Sequence, residues 1–135
     1  MMLRSFLFLI SFVIIQSVLA QKKPLDHSVY DSWQNIGQKL ISNNGKWVVY
    51  TIDPQEGDNE LVIQTPDAGY KKTIARGYNA VISEDSRYVI FRIKPFFKET
   101  REARIKKKKA EEMPKDSLAI VELGKDSVWK KPNVK

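Results

Sequence analysis

Apolar residues are distributed along this chain in two different ways. Positions 1–20 hold fifteen of them, with Arg4 as the single charge and an unbroken run from Phe6 to Ile15 apart from Ser11. Beyond Gln21 they come in short bursts: Trp47 to Ile52, Leu61 to Ile63, Tyr88 to Ile93 and Leu118 to Leu123. These bursts are rich in β-branched and aromatic side chains, which suit a pleated, half-buried surface. Polar turn formers precede or follow each burst. Asn43-Asn44-Gly45 and Glu84-Asp85-Ser86 lead into two of them, because short polar side chains bond their own backbone and Gly accepts positive φ. Pro54 and Pro95 close the same two by removing a backbone donor. The pattern predicts antiparallel strands in series: Glu60 to Thr65 and Lys71 to Ala75 around the turn Pro66 to Gly69, and Leu118 to Leu123 and Ser127 to Lys130 around Gly124 to Asp126.

Two bursts belong to one repeat. Residues 41–54 (ISNNGKWVVYTIDP) and 82–95 (ISEDSRYVIFRIKP) match at an offset of 41 residues, with five of fourteen positions identical and five more alike in kind. A period near 40–45 residues with strand character points to the blades of a β-propeller, with about four strands in each. The fold class expected is therefore all-β: the first one or two blades of an incomplete propeller, behind a leader. An ordinary β-sandwich of short strands is the alternative, although it does not call for the same signature twice. The expected organisation is residues 1–20 as a signal segment and 21–40 as leader and first strand. Residues 41–81 form the first repeat and 82–135 the second.

The second copy is longer than the first. Ile41 to Leu61 is 20 residues and Ile82 to Leu118 is 36. The extra length lies in 96–116, a charged stretch rich in helix formers, with Glu102 four residues before Lys106 in the favourable order. Few apolar side chains recur on one face, so a solvated helix or mobile loop is expected. Its Lys106–Lys109 run is either a docking patch for an acidic partner or a charged surface excursion. Continuing the spacing places a third copy near position 139, beyond Lys135. Since a closed propeller needs about four to eight blades, a longer parent protein is expected.

The first twenty residues read as an address. A charged start, a short apolar middle and the small-residue exit Ser17-Val18-Leu19-Ala20 describe a secretory signal peptide cut between Ala20 and Gln21. A permanent anchor is the alternative, but the stretch falls short of the ~20 residues that span a bilayer. No Cys follows it, which excludes a lipid-anchored lipoprotein. The expected location is periplasmic or secreted, with membrane contact only during export.

Composition narrows the chemistry further. The net charge is +7 with one His and no Cys, which excludes disulfide scaffolds, thiolate metal sites and His clusters. A basic balance can signal nucleic acid. An exported chain whose excess sits mainly in one lysine run, with no interleaved aromatics, does not bind it. No G-x-S-x-G elbow occurs. His27, between Asp26 and Ser28, is a sequence neighbour of possible partners and not a triad. Asp53, Glu56, Asp58 and Glu60 cluster in one loop, but their spacing does not match an EF-hand, and solvated loop acids are expected. Trp33, Trp47 and Trp129 are expected in the core. No catalytic residue, metal ligand or cofactor is assigned.

The leader from Pro24 to Ile36 (PLDHSVYDSWQNI), the ISNNGKWVVY repeat and the basic insert after IFRIKP together resemble the amino-terminal part of secreted serine peptidases. These belong to the prolyl oligopeptidase family, of the kind common in Bacteroidetes-type bacteria. The resemblance runs from the signal segment to Lys135. It implies a propeller that gates access to a carboxy-terminal α/β-hydrolase domain carrying Ser, Asp and His, none of which has a counterpart here. Glu111 and Glu112 lie in an insert with no motif to anchor a substrate-binding role. The implied partners are the further blades and hydrolase domain of the parent, with short peptides as substrate. The alternative function is a non-enzymatic periplasmic propeller, similar to TolB, that binds proteins or glycans.

Overall fold

A computed structural model describes residues 33–134. The signal segment, the cleavage point at Ala20 and Gln21, and His27 lie outside the described residues. Strands β1 (Gln34–Ile41), β2 (Val48–Pro54), β3 (Glu60–Gln64) and β4 (Lys71–Ala75) form one antiparallel sheet in the order 1-2-3-4. Strands β5 (Gly77–Ile82), β6 (Tyr88–Ile93), β7 (Asp116–Glu122) and β8 (Val128–Val134) form a second, in the order 5-6-7-8. Helix α1 (Phe97–Ile105) and a short 3-10 turn (Ala110–Glu112) occupy the connection from β6 to β7. The all-β expectation holds in this form: two four-stranded antiparallel meanders and one short helix.

Each sheet starts one strand before the sequence signature does. Ile41 and Ile82, the first residues of the two copies, are the last residues of β1 and β5. The signature spans the turn and second strand of each sheet, and its preceding strand completes the unit. Both opening hairpins are irregular within one residue of equivalent places, with register shifts between Ile36 and Lys39 and between Tyr78 and Val81.

The repeated turn repeats its main hydrogen bonds. In the first copy Ser42 Oγ donates to Asn44 Oδ1 at 2.7 Å and accepts the Trp47 N–H at 3.0 Å, while Asn44 Oδ1 also accepts the Lys46 N–H at 3.0 Å. In the second, Ser83 Oγ donates to Asp85 Oδ1 at 2.5 Å and accepts the Tyr88 N–H at 2.9 Å, while Asp85 Oδ1 accepts the Arg87 N–H at 3.1 Å. Gly45 and Ser86 both take left-handed backbone, at φ 68° and 56°. A third example joins β3 to β4: Thr65 Oγ1 accepts the Tyr70 N–H at 3.0 Å, Asp67 Oδ1 accepts the Gly69 N–H at 3.1 Å, and Ala68 has φ 58°. The shared rule is a hydroxyl residue, then Asn or Asp two positions on, then a left-handed residue and an aromatic. Side-chain oxygens thereby satisfy backbone donors that the ladder cannot reach.

The core lies between the sheets. Val49, Leu61 and Ile63 of the first sheet meet Val89, Phe91, Ala119 and Val121 of the second, all at 1% exposure or less. Burying each large aliphatic side chain contributes roughly 1.5–3 kcal/mol. At Gly77 the sheets approach closely, since a Cβ added there would stand 2.6 Å from Leu61 Cβ. Gln38 bridges the sheets with its amide, donating to the Ala80 carbonyl and accepting the Ala80 N–H, both at 2.8 Å.

The sheets meet through unlike faces. The front face of the first sheet carries Leu40, Val49, Leu61 and Ile63, and strand pairing makes Val81, Ile90, Leu118 and Ile120 their counterparts in the second. The first set is packed into the core. The second set points away from it, with Val81 58% and Ile90 38% exposed. The second sheet contributes instead its back face, Ile82, Val89, Phe91 and Ile93.

Two tryptophans do not follow expectation. Trp47 packs on the core and meets Tyr70 edge to face at 5.4 Å, but Trp33 and Trp129 are more than half exposed. Trp129 pairs with Ile120 on the uncovered front face of the second sheet. Trp33 stands just outside β1, where its carbonyl accepts the Gln55 N–H at 3.2 Å. Apolar content alone could not separate a covered sheet face from an open one.

Candidate functional site

Hairpin turns occupy one end of the sheets, and the other end carries the β2–β3 loop, the junction between sheets and the insert. A cleft of about 560 Å³ opens there. Arg76 alone links β4 to β5, in a left-handed conformation with φ 64°. Such backbone costs about 1–3 kcal/mol unless its surroundings fix it. The surroundings do: Arg76 N–H donates to the Asn59 carbonyl at 2.6 Å and its Nη1 to the Lys94 carbonyl at 3.0 Å. The guanidinium carbon lies 3.6 Å from the Phe96 ring centroid, and Nε is buried without a hydrogen-bond partner among the described residues. Asn59, itself buried, adds a bond from Nδ2 to the Gly77 carbonyl at 2.6 Å.

Helix α1 is tethered over this junction by the acidic loop. Asp58 Oδ1 accepts the Phe97 N–H at 2.9 Å, taking one of the first-turn donors a helix leaves unpaired. Arg101 Nη1 reaches Glu56 at 3.4 Å, an exposed pair that contributes little energy. Of the loop acids, Asp53 accepts the Thr51 hydroxyl at 3.0 Å. Asp53, Glu56, Asp58 and Glu60 thus do not converge, and no group of three or more His, Asp or Glu able to hold a metal ion occurs among the described residues.

The cleft runs between α1 and the end of the second sheet. Phe97, Thr100, Arg101 and Arg104 form its helix side; Tyr78, Lys94 and Asp116 line the strand side, with Met113 and Pro114 closing one edge. Tyr78 donates its hydroxyl proton to Asp116, which also lies 3.9 Å from Arg92 Nη1. Burial first, then the hydrogen bond and charge of Asp116, push the Tyr78 phenol above its usual range. The phenol therefore stays neutral and acts as a donor. Lys94 Nζ sits 4.9 Å above the Tyr78 ring.

Charge is sorted around the helix. Arg101 and Arg104 face the cleft, whereas Glu99 and Glu102 line a smaller hollow on the opposite side with Ala103 and two lysines, Lys106 and Lys108. Ala103, 3% exposed, is the single buried residue of α1. Lys106–Lys109 are all exposed, as are Glu111 and Glu112 on the 3-10 turn. No helix among the described residues is long and apolar enough to cross a membrane.

Sequence alone singles out the loop acids and the lysine run, and misses Tyr78, Lys94, Arg104 and Asp116. Its one available signal was the spacing of Arg101 and Arg104, three residues apart in a stretch of helix formers. No known family, curated protein or solved structure matches the chain.

Proposed function

We propose that this chain is the amino-terminal β-propeller portion of an exported serine peptidase of the prolyl oligopeptidase family. It holds no catalytic group of its own, and its role is to shape and filter the entrance through which short peptides reach the hydrolase domain. The observation that carries the propeller part is the packing of unlike faces. When a repeat buries its front against the back of the next, the same operation can be applied again, which is how blades succeed one another. A two-sheet sandwich with equivalent inner faces would have no such remainder. Here Val81, Ile90, Leu118 and Ile120 are the counterparts of residues already buried in the first sheet and supply the surface for a further unit. The peptidase part is supported by the leader and insert read from sequence. Export is supported by the amino-terminal segment alone.

The test is the coding sequence continued past Lys135, joined to a peptidase assay of the exported product. Further copies at about 41-residue spacing and then a G-x-S-x-G elbow are expected, with no hydrolysis by the 135-residue chain itself. Further copies without an elbow would overturn the peptidase reading and leave a binding propeller.

A further inference from the structure

The cleft beside α1 has a charge and a shape of its own, whether or not the parent protein is a peptidase. Three cations line it, Lys94, Arg101 and Arg104, against two acids, Asp58 and Asp116. Both acids are already engaged, Asp58 by the Phe97 N–H and Asp116 by the Tyr78 hydroxyl and Arg92. Arg101 is engaged too, through Glu56. The Arg104 guanidinium has no hydrogen bond or ion pair among the described residues, and the Lys94 ammonium meets only the Tyr78 ring. Arg92 offsets Asp116 and Glu56 offsets Arg101, so Lys94 and Arg104 stand against Asp58 alone and the balance in the cleft is positive. Its walls also include Phe97, Met113 and Pro114, and a volume of about 560 Å³ is within the range of small-molecule sites.

We propose that this cleft binds a small ligand that joins an oxyanion, carboxylate or phosphate, to an apolar or aromatic body. Arg104 offers a planar fork of donors that fits either oxyanion, and Lys94 adds a point charge from the strand side. Phe97 and Met113 receive the apolar part. Glu99 and Glu102 lie on the far side of α1, which leaves Asp58 and Asp116 as the acids that line the cleft. The Tyr78 hydroxyl is occupied by Asp116, so it fixes the strand-side wall and does not compete for the ligand.

The experiment is a titration of the full chain, followed by the backbone amide NMR signals, with three probes. N-acetylphenylalanine carries the carboxylate, phenyl phosphate carries the phosphate, and N-acetylphenylalanine amide is the neutral control. Saturable shifts of the amides of residues 97–104 and of Met113 at millimolar or lower concentration are expected from at least one anionic probe. Arg104→Ala should weaken that binding about tenfold or more, while Lys71→Ala on an exposed strand should leave it unchanged. Binding of both anions, or of one that then names the source, upholds the proposal. Equal binding of the neutral amide, no binding of either anion, or an affinity indifferent to Arg104→Ala overturns it. Arg104 is exposed, and an unchanged amide spectrum outside the insert shows that the variant has folded.

Discussion

The front faces of the two sheets carry apolar side chains at the same strand positions, yet only one of them is covered. Leu61 and Leu118 are counterparts through their pairing with Thr51 and Arg92, and Leu61 is fully buried while Leu118 is half-buried. Ile63 and Ile120 stand in the same relation. Identical local instructions thus produce core in one sheet and surface in the other. Position in the stack, not residue type, decides which positions are energetically costly to change.

Truncating the two leucines gives the sharpest contrast. Leu61→Ala should cost about 2–5 kcal/mol, since it removes buried methyls and leaves a cavity between sheets. Leu118→Ala should cost about 1 kcal/mol or less, because its site is already partly hydrated. Urea unfolding of both variants at equal protein concentration measures the difference. Equal costs would mean that the second front face is covered in solution.

Gly77→Ala tests the interface from its other side. The added Cβ meets Leu61 Cβ at 2.6 Å, and forcing the sheets apart should cost about 1–3 kcal/mol. A thermal midpoint unchanged from that of the parent would show that the sheets are not so closely opposed.

An effect of similar size is expected in the first turn, and a smaller one in the second. Ser42 is 4% exposed and Ser83 half-buried, although both make the same bonds. Ser42→Ala should cost about 1–3 kcal/mol, because it leaves buried polar groups unpaired, and Ser83→Ala about 1 kcal/mol. Denaturant midpoints of the two variants should fall in that order.

The smallest difference is one of pH. The first turn uses the amide of Asn44, which does not titrate; the second uses the carboxylate of Asp85 in its place. Bonds from the Ser83 hydroxyl and the Arg87 N–H hold the Asp85 carboxyl below the usual carboxylate range. A lowered folded pKa gives stability that is present above the unfolded value of about 3.9 and is lost as pH falls through the folded value. The Arg87 amide should therefore lose protection from hydrogen exchange on acidification below about pH 4, while the Lys46 amide keeps it. Parallel loss at both amides would show that acid acts on the whole chain. Asp67, lowered by Thr65 and the Gly69 N–H, should behave as Asp85 does.

Much of this architecture could be read from the chain. Turn residues and β-branched bursts placed β2, β3, β4, β6, β7 and β8, because those signals are local. β5 was harder: Gly-Tyr-Asn-Ala-Val-Ile opens on a glycine and bends at Asn79, which takes φ 49° inside the strand. The site was hidden for a different reason. Tyr78, Lys94, Arg104 and Asp116 are spread over 38 residues and meet only when the insert folds back over the sheet junction. The sorting of charge around α1 was equally hidden, since Glu99, Arg101, Glu102 and Arg104 alternate in sequence and separate only on a helix.

The central claim is that the sheets stack front to back. It is tested most directly by inter-sheet proton–proton contacts in the NMR spectrum of the intact chain. The account predicts strong contacts between Leu61 side-chain protons and the Gly77 α-protons, and none from the Ile90 or Ile120 methyls to the first sheet. Contacts from Ile90 or Ile120 to Val49 or Leu61 would mean that like faces meet, and would contradict it.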